Sequence, residues 1–257
     1  MKHHLQMILL FTKQELFEQY RGNALGVVWL FIQPLTYILI FTLIFSDIMK
    51  TRLANFDQPY AYSTYLVAGI LSWNMIINII TKTSSVYQTK AGLIKKVPTH
   101  LLLLPLYIPL AEVIIYIIGM ALFSIVLLLV GYDFSATWLW LLLLTLCATL
   151  FAYVSGMLFG LLSPFIPDIR NAIPVLSQLL FWMTPIIYLP NIVPKQFQWL
   201  LDANPFTWLI SNFQAAIFYQ APLHWGTLTA SLGLTASIGL LVYWLHLRLE
   251  KDIRDLI

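Results

Sequence analysis

Charged residues interrupt this chain rarely, and the stretches between them are long and apolar. Charge-free runs lie between Arg21 and Asp47, between Asp57 and Lys82, from about Trp138 to Leu162, from Arg170 to near Tyr188, and from about Leu228 to Leu247. A further run from about Ile108 to Val130 is broken only by Glu112. Each approaches or exceeds the ~20 residues that an α-helix needs to cross ~30 Å of hydrocarbon. The pattern predicts an all-α integral membrane protein with six transmembrane helices, at residues 22–46, 60–81, 106–130, 138–162, 171–189 and 227–247. Ahead of the first, Leu9, Leu16 and Tyr20, with Leu5 and Phe17 nearby, form a stripe beside Lys13, Glu15 and Glu18. That pattern predicts an amphipathic helix lying in the interface plane over residues 1–21. A signal peptide is the poorer reading, because no small-x-small site follows Phe11 and charges come next.

The pattern is least regular from Trp182 to Phe218. Pro185, Pro190, Pro194 and Pro205 each remove a backbone donor there and discourage helix at the residue before. The run after Pro205 is only about 15 residues long and carries Asn212 and Gln214, too short and too polar to span. The expectation is a fifth span that breaks near Pro185, followed over 190–226 by short re-entrant helices at the outer face. Such backbone is tolerated at membrane depth only where protein or a water-filled cavity satisfies it. Pro185, Asn204, Pro205 and Gln214 are therefore the candidate outer-gate residues.

Composition agrees with the pattern: 60% of residues are hydrophobic and 10% charged, with a mean hydropathy of +0.82. An average soluble chain has about 25% charged residues. With six spans and an internal N-terminus, eleven of the fourteen lysines and arginines fall inside and only Lys50, Arg52 and Lys195 outside. Cytoplasmic loops carry that excess, which places both termini in the cytoplasm. Topology thus accounts for the net charge of +3, and nucleic acid is not implied. The single cysteine, Cys147, lies in an apolar run and reads as a small buried hydrophobe.

Five places carry candidate chemistry. The segment 82–105 is the longest cytoplasmic connection. Within it Gly92, Leu93, Ile94, Lys95 and Lys96 put apolar residues beside a double lysine, as a docking helix for another subunit would; ordinary positive-inside charge explains the lysines equally well. Glu112 is the only acidic residue well inside a span, a functional candidate by position, although Pro109 a turn earlier leaves it two other settings, near the cytoplasmic headgroups or facing a neighbouring helix. The aromatics Trp138, Trp140, Trp199, Trp208 and Trp225 fall near outer boundaries, where interface belts form. Trp29, Tyr37, Trp182 and Tyr188, on the first and fifth spans, would offer sliding contacts to sugar rings if those spans face a shared channel. Gly156 and Gly160 make a small-xxx-small pair for close helix packing. The five histidines are scattered without metal-ligand spacing, no nucleophile triad stands out, and no Gly-rich loop ends in Gly-Lys-Ser/Thr. The chain reads as no enzyme and holds no cofactor of its own.

Several of these stretches together resemble the transmembrane permease subunits of ABC transporters that export cell-surface polysaccharides, the O-antigen and teichoic-acid exporters. The resemblance rests on Glu15-Leu16 through Tyr20-Arg21, Leu25-Gly26-Val27-Val28-Trp29 and Gln33-Pro34. It continues in Leu93-Ile94-Lys95-Lys96-Val97 with Pro105-Leu106, in Asp168-Ile169-Arg170, in Thr184-Pro185-Ile186-Ile187-Tyr188 and in Asn204-Pro205-Phe206-Thr207. It implies a homodimer in the inner membrane, bound to two separately encoded ATP-binding subunits that hold ATP and Mg. Residues 92–96 would meet that ATPase, and Tyr20 and Arg21 would lead the interfacial helix into span one. The cargo would be a lipid-linked polysaccharide of the O-antigen type, a part of lipopolysaccharide biosynthesis, threaded outward between the two copies. Departures from the family pattern are Glu18, Ile166-Pro167, His100 and Gln214, the last three standing where relatives carry aromatic-arginine or arginine residues. Two other readings remain: an ABC exporter of a teichoic-acid-type polymer or of a small lipid or drug, and a membrane-embedded glycan-modifying enzyme.

Overall fold

The computed structural model describes residues 2–18, 22–44, 61–96 and 100–256. The expectations that rest on Tyr20, Arg21, Lys50, Arg52, Val97 and Pro98 lie outside the described residues. Among those residues every regular element is helical. In chain order they are α1 (Lys2–Glu18), α2 (Trp29–Leu39), α3 (Ala61–Ser84), the short α4 (Val86–Thr89) and α5 (Ala91–Lys96), and α6 (Tyr107–Val130). There follow α7 (Trp140–Leu162), α8 (Ile169–Met183), the short α9 (Gln198–Ala203), α10 (Pro205–Gln214) and α11 (Trp225–Leu256).

Among the described residues four continuous stretches are long and apolar enough to cross a bilayer: Ala61–Thr89, Leu104–Val130, Ala136–Leu162 and Trp225–Leu256. The stretch around α2 is shorter, Gly26–Thr42. Helix α8 has 15 residues, a rise of roughly 22 Å at 1.5 Å per residue, so on its own it falls short of the hydrocarbon thickness. Helix α11 does not stop near Leu247. It continues to Leu256, so most of the expected tail 248–257 is the same helix.

Local chemistry sets the ends. Helix α6 stops at Gly131, whose φ of +80° closes the last turn in the left-handed conformation that glycine adopts without strain. Helix α10 starts where Asn204 Oδ1 accepts the Phe206 N–H at 3.0 Å. Pro205 then takes the first helical position, where an N–H would have no partner anyway.

Helix α3 is the axis of the bundle. It is buried on nearly every side from Ala61 to Trp73, and α7, α6, α10, α8 and α2 all pack on it. Its residues allow this, because Ala61, Ser63, Ala68, Gly69 and Ser72 let other backbones come close. The closest crossing is with α7: a Cβ built on Gly156 would lie 2.8 Å from Thr83 Cβ, and one on Gly160 would lie 2.8 Å from the Thr83 carbonyl oxygen. The expected small-residue pair is thus a packing device between α7 and α3. Cys147 lies in the same core, 3% exposed.

A second apolar cluster gathers Ile8, Tyr87, Ile94, Leu101, Tyr107, Met157, Leu161, Val242 and Ile253 at one end of the bundle. It joins α1 to α4, α5, the start of α6 and the ends of α7 and α11. Lys82, Lys90, Lys95, Lys96, Arg248, Lys251 and Arg254 belong to the elements that meet here, and we call this the basic end. Helix α1 packs against the body with Ile8, Phe11, Thr12 and Glu15. The stripe through Leu9 is one step round and leaves Leu9 55% exposed, free to meet a membrane surface.

Candidate functional site

The broken stretch lies at the end opposite the basic one. Helix α8 ends at Met183, and Thr184 turns extended, with φ −102° and ψ 134°. The backbone then runs without helix to Leu189, which would strand several carbonyls in an apolar setting. They are met by side chains: the Tyr65 hydroxyl shares its one proton between the Pro185 oxygen at 2.7 Å and the Tyr188 oxygen at 3.0 Å. Tyr62 donates to the Ile187 oxygen at 2.6 Å, and Gln214 Nε2 to the Pro185 oxygen at 3.1 Å. Asn204 Nδ2 reaches Thr184 Oγ1 at 3.0 Å. Pro185, Asn204, Pro205 and Gln214, singled out from sequence, are therefore brought together on one buried polar seam. The tyrosines of α3 that complete it carry no sequence signal beyond their number.

Gln214 is 2% exposed, and Gly69 stands so close that a Cβ there would meet its Nε2 at 3.0 Å. The chain after α10 is held in the same way. A wide π turn over Ala215–Tyr219 leaves carbonyls without helical partners. Thr137 donates to the Ala216 oxygen at 2.7 Å, Tyr132 to the Ile217 oxygen, and Gln220 to the Asp133 oxygen at 2.7 Å.

At the basic end, α5 has the two-sided character that its sequence predicts. Ile94 is 4% exposed and anchored in the second cluster, whereas Gly92, Lys95 and Lys96 face outward. The segment is fixed to the bundle rather than hung from it. Gln88 Nε2 donates to the Ser163 oxygen at 2.8 Å, Tyr87 to the Leu101 oxygen at 2.8 Å, and Tyr153 to the Leu102 oxygen. Lys90 lies 5.9 Å above the Phe11 ring and 5.7 Å above that of Tyr107, joining α1 to the same unit through cation–π contacts.

Glu112 faces a neighbouring helix, one of the two settings its position allows. It is 2% exposed, with Lys82 Nζ 2.8 Å from Oε1 and Asn78 Nδ2 donating to Oε2 at 3.1 Å. The same ammonium lies 2.9 Å from Glu15 Oε1 on α1. One lysine at the end of α3 thus bridges the interfacial helix and α6. Sequence reading allowed Glu112 a neighbouring helix but did not name Lys82, which it counted only as a cytoplasmic charge.

Trp29 is half-buried, while Tyr37 and Trp182 are 44% and 62% exposed. Tyr188 turns back, its hydroxyl donating to the Trp182 oxygen at 3.2 Å. Among the described residues no ring pair joins the two aromatics of α2 to the two at the end of α8. Both helices expose polar residues among apolar ones: Gln33, Thr36 and Tyr37 beside Phe31 and Leu39 on α2, and Asn171 and Gln178 beside Val175, Leu176, Leu179 and Trp182 on α8. The exposed positions of α6, by contrast, are all apolar, including Leu110, Ile114, Ile117, Ile125 and Leu128. An apolar face suits lipid, whereas amides at membrane depth face protein or water.

Comparison with known proteins places this architecture. The sequence model described as ABC-2 type transporter matches residues 6–218. The chain is 23% identical over 209 residues to the O-antigen export system permease protein RfbA of Klebsiella pneumoniae, covering 81% of this chain and 78% of that protein. It is 24% identical over 218 residues to the protein of the same name from Myxococcus xanthus, covering 83% and 80%. The polysialic acid transport protein KpsM of Escherichia coli is 22% identical over 194 residues, 75% of this chain and 74% of that one.

Proposed function

Since the chain belongs to the ABC-2 type transporter family, we propose that it is the membrane subunit of an ATP-driven exporter of a lipid-linked cell-surface polysaccharide, of the O-antigen type. In this reading two copies assemble in the inner membrane with both termini in the cytoplasm, and six spans per copy include α2 and α8. Two copies of a separate subunit bind and hydrolyse ATP with Mg; this chain performs no catalysis of its own. The observation that carries the reading is that the exposed faces of α2 and α8 mix polar residues with apolar ones, whereas the exposed face of α6 is wholly apolar. Placed against a second copy, α2 and α8 line a wet passage with Trp29, Tyr37, Trp182 and Tyr188, whose rings give weak contacts to sugar faces.

The mechanism follows from the mounting of α5. Closure of the ATPase pushes on Gly92, Leu93, Lys95 and Lys96. Because Ile94, Tyr87 and Gln88 bind this segment to α6 and α7, the push moves helices rather than a loop. Glu15 carries it to α1 through Lys82, and Glu112 carries it to α6. At the opposite end, the seam around Pro185 opens or closes the passage, its carbonyls exchanging Tyr62, Tyr65 and Gln214 for water.

One observation favours a second reading, an exporter of a small lipid. A groove of about 790 Å³ between α6 and α7 is lined almost wholly by apolar groups, among them Leu110, Val113, Ile117, Met120, Leu142 and Leu146. The test is export in source cells lacking this chain. Loss of surface polysaccharide with retention of the lipid-linked polymer inside supports the first reading; normal surface polysaccharide with a missing lipid species supports the second.

A further inference from the structure

A polar cavity of about 290 Å³ opens between α2, α3 and α6. Its wall is built in pairs. Gln33 and Tyr37 stand four residues apart on α2, Asn74 and Asn78 four apart on α3, and Glu112 and Tyr116 four apart on α6. Residues at that spacing share a helix face, so three helices each contribute a polar pair to one space, which runs from the buried Glu112 and Tyr116 to the exposed Gln33, Tyr37 and Asn78. Intramembrane polar groups are costly and mark a pathway or a binding site.

The chemistry of the wall selects the occupant. Three amides supply both donors and acceptors, and Glu112 supplies lone pairs beyond those used by Lys82 and Asn78. Tyr37, stacked on Phe41 with ring centroids 6.4 Å apart and an interplanar angle of 6°, supplies a flat aromatic side. Lys82 is shared by Glu15 and Glu112 at 2.9 and 2.8 Å, so one ammonium between two carboxylates leaves a formal surplus of one negative charge. That surplus repels a phosphate or a carboxylated sugar, and the ammonium already occupies the place a cation would take. A neutral polyhydroxyl ring suits this mixed wall, with hydroxyls to the amides and carboxylate and CH faces to Tyr37 and to the apolar Pro34, Leu71, Met75 and Ile115. The volume lies at the bottom of the roughly 300–1,000 Å³ range of small-molecule sites, which admits one ring and not an oligosaccharide.

We propose that this cavity is a binding site for a single neutral hexose unit, a stepping place for the polymer beside the passage. The proposal rests on the export reading for its cargo but not for its geometry, and the experiment separates the two. The complex of the full chain with its ATPase, in lipid nanodiscs, is irradiated with a photoreactive methyl hexopyranoside, and labelled peptides are mapped by mass spectrometry. Unlabelled methyl hexopyranoside and hexose 1-phosphate serve as competitors.

The expected result is labelling on α2, α3 and α6 near Tyr37, Asn74 and Glu112. The neutral glycoside competes at least tenfold better than the phosphate, and Asn74→Leu and Tyr37→Leu each lower labelling at least fivefold. Asn74→Gln, which keeps the amide, retains more than Asn74→Leu does and controls for misfolding. Labelling elsewhere, equal labelling in the leucine variants, or equal competition by the phosphate overturns the proposal. If the same complex moves no polymer yet labels at the cavity, the export reading falls and the site stands. If it moves polymer and labelling misses the cavity, the site alone falls.

Discussion

Replacing Lys82 by methionine removes the one charge that holds Glu15, Glu112 and three helices together. At 2.8 Å and an effective dielectric constant near 20, the Lys82–Glu112 attraction is roughly 6 kcal/mol before desolvation is subtracted. Glu112 is 2% exposed and would be left with Asn78 alone, and stranding a buried partner costs about 3–5 kcal/mol. The Glu15 arm adds little, since its side chain is 22% exposed and that of Lys82 29%, and such pairs contribute about 0–1 kcal/mol. Lys82→Met should therefore destabilise the chain by about 3 kcal/mol, a fall of roughly 6–12 °C in Tm for a chain near this size. Glu15→Gln should cost under about 1 kcal/mol.

The decisive variant is the double substitution. In Lys82→Met/Glu112→Gln no buried charge remains unpaired, and the amide that replaces the carboxylate can still accept from Asn78. The double variant should be more stable than Lys82→Met alone by about 1–2 kcal/mol. Thermal unfolding of the parent chain, the two single variants and the double variant in one detergent measures the cycle. Single and double effects that add to within about 0.5 kcal/mol, the behaviour of independent sites, would refute the reasoning.

Three further outcomes follow. On the proposed reading, Lys95→Glu/Lys96→Glu should leave the fold intact but separate ATP hydrolysis from export, read as hydrolysis per polymer released in proteoliposomes; unchanged coupling would remove α5 as the docking element. Gly160→Val puts a side chain where a Cβ already meets the Thr83 oxygen at 2.8 Å, so it should cost at least about 1–3 kcal/mol and lower the yield of folded protein, whereas Gly92→Ala, with open space around it, should not. Gln214→Leu leaves the Pro185 carbonyl with Tyr65 and should cost about 1 kcal/mol, but with Tyr65→Phe added that carbonyl has lost both donors, and the pair should exceed the sum of the singles by about 1–2 kcal/mol. Additive losses there would mean that water already serves the seam.

The apolar runs located α2, α3, α6, α7, α8 and α11 because burial in lipid demands long uncharged stretches whatever the fold. Pro185 announced the break for an equally local reason, the loss of a donor and the constraint on its neighbour. The two-sided α5 was visible because Ile94 and Lys95 differ so strongly in solvation. Sequence could not show which helix stands at the centre, since a lipid-facing and a protein-facing helix are both apolar. The bridge from Glu15 through Lys82 to Glu112 was invisible because its members lie far apart in the chain, and periodicity says nothing of which side chains on different helices meet. The length of α2 also escaped, because its apolar run continues past the point where the helix turns to π geometry.

One co-purification tests the export reading most directly. The chain is expressed with the ATP-binding subunit encoded beside it, extracted in mild detergent, and weighed by size-exclusion chromatography with light scattering. The expected result is a two-plus-two complex whose ATP hydrolysis depends on this chain and drops when Lys95 and Lys96 are reversed. A stable chain that elutes without any ATP-binding subunit, or a complex whose hydrolysis is indifferent to its presence, would contradict that reading.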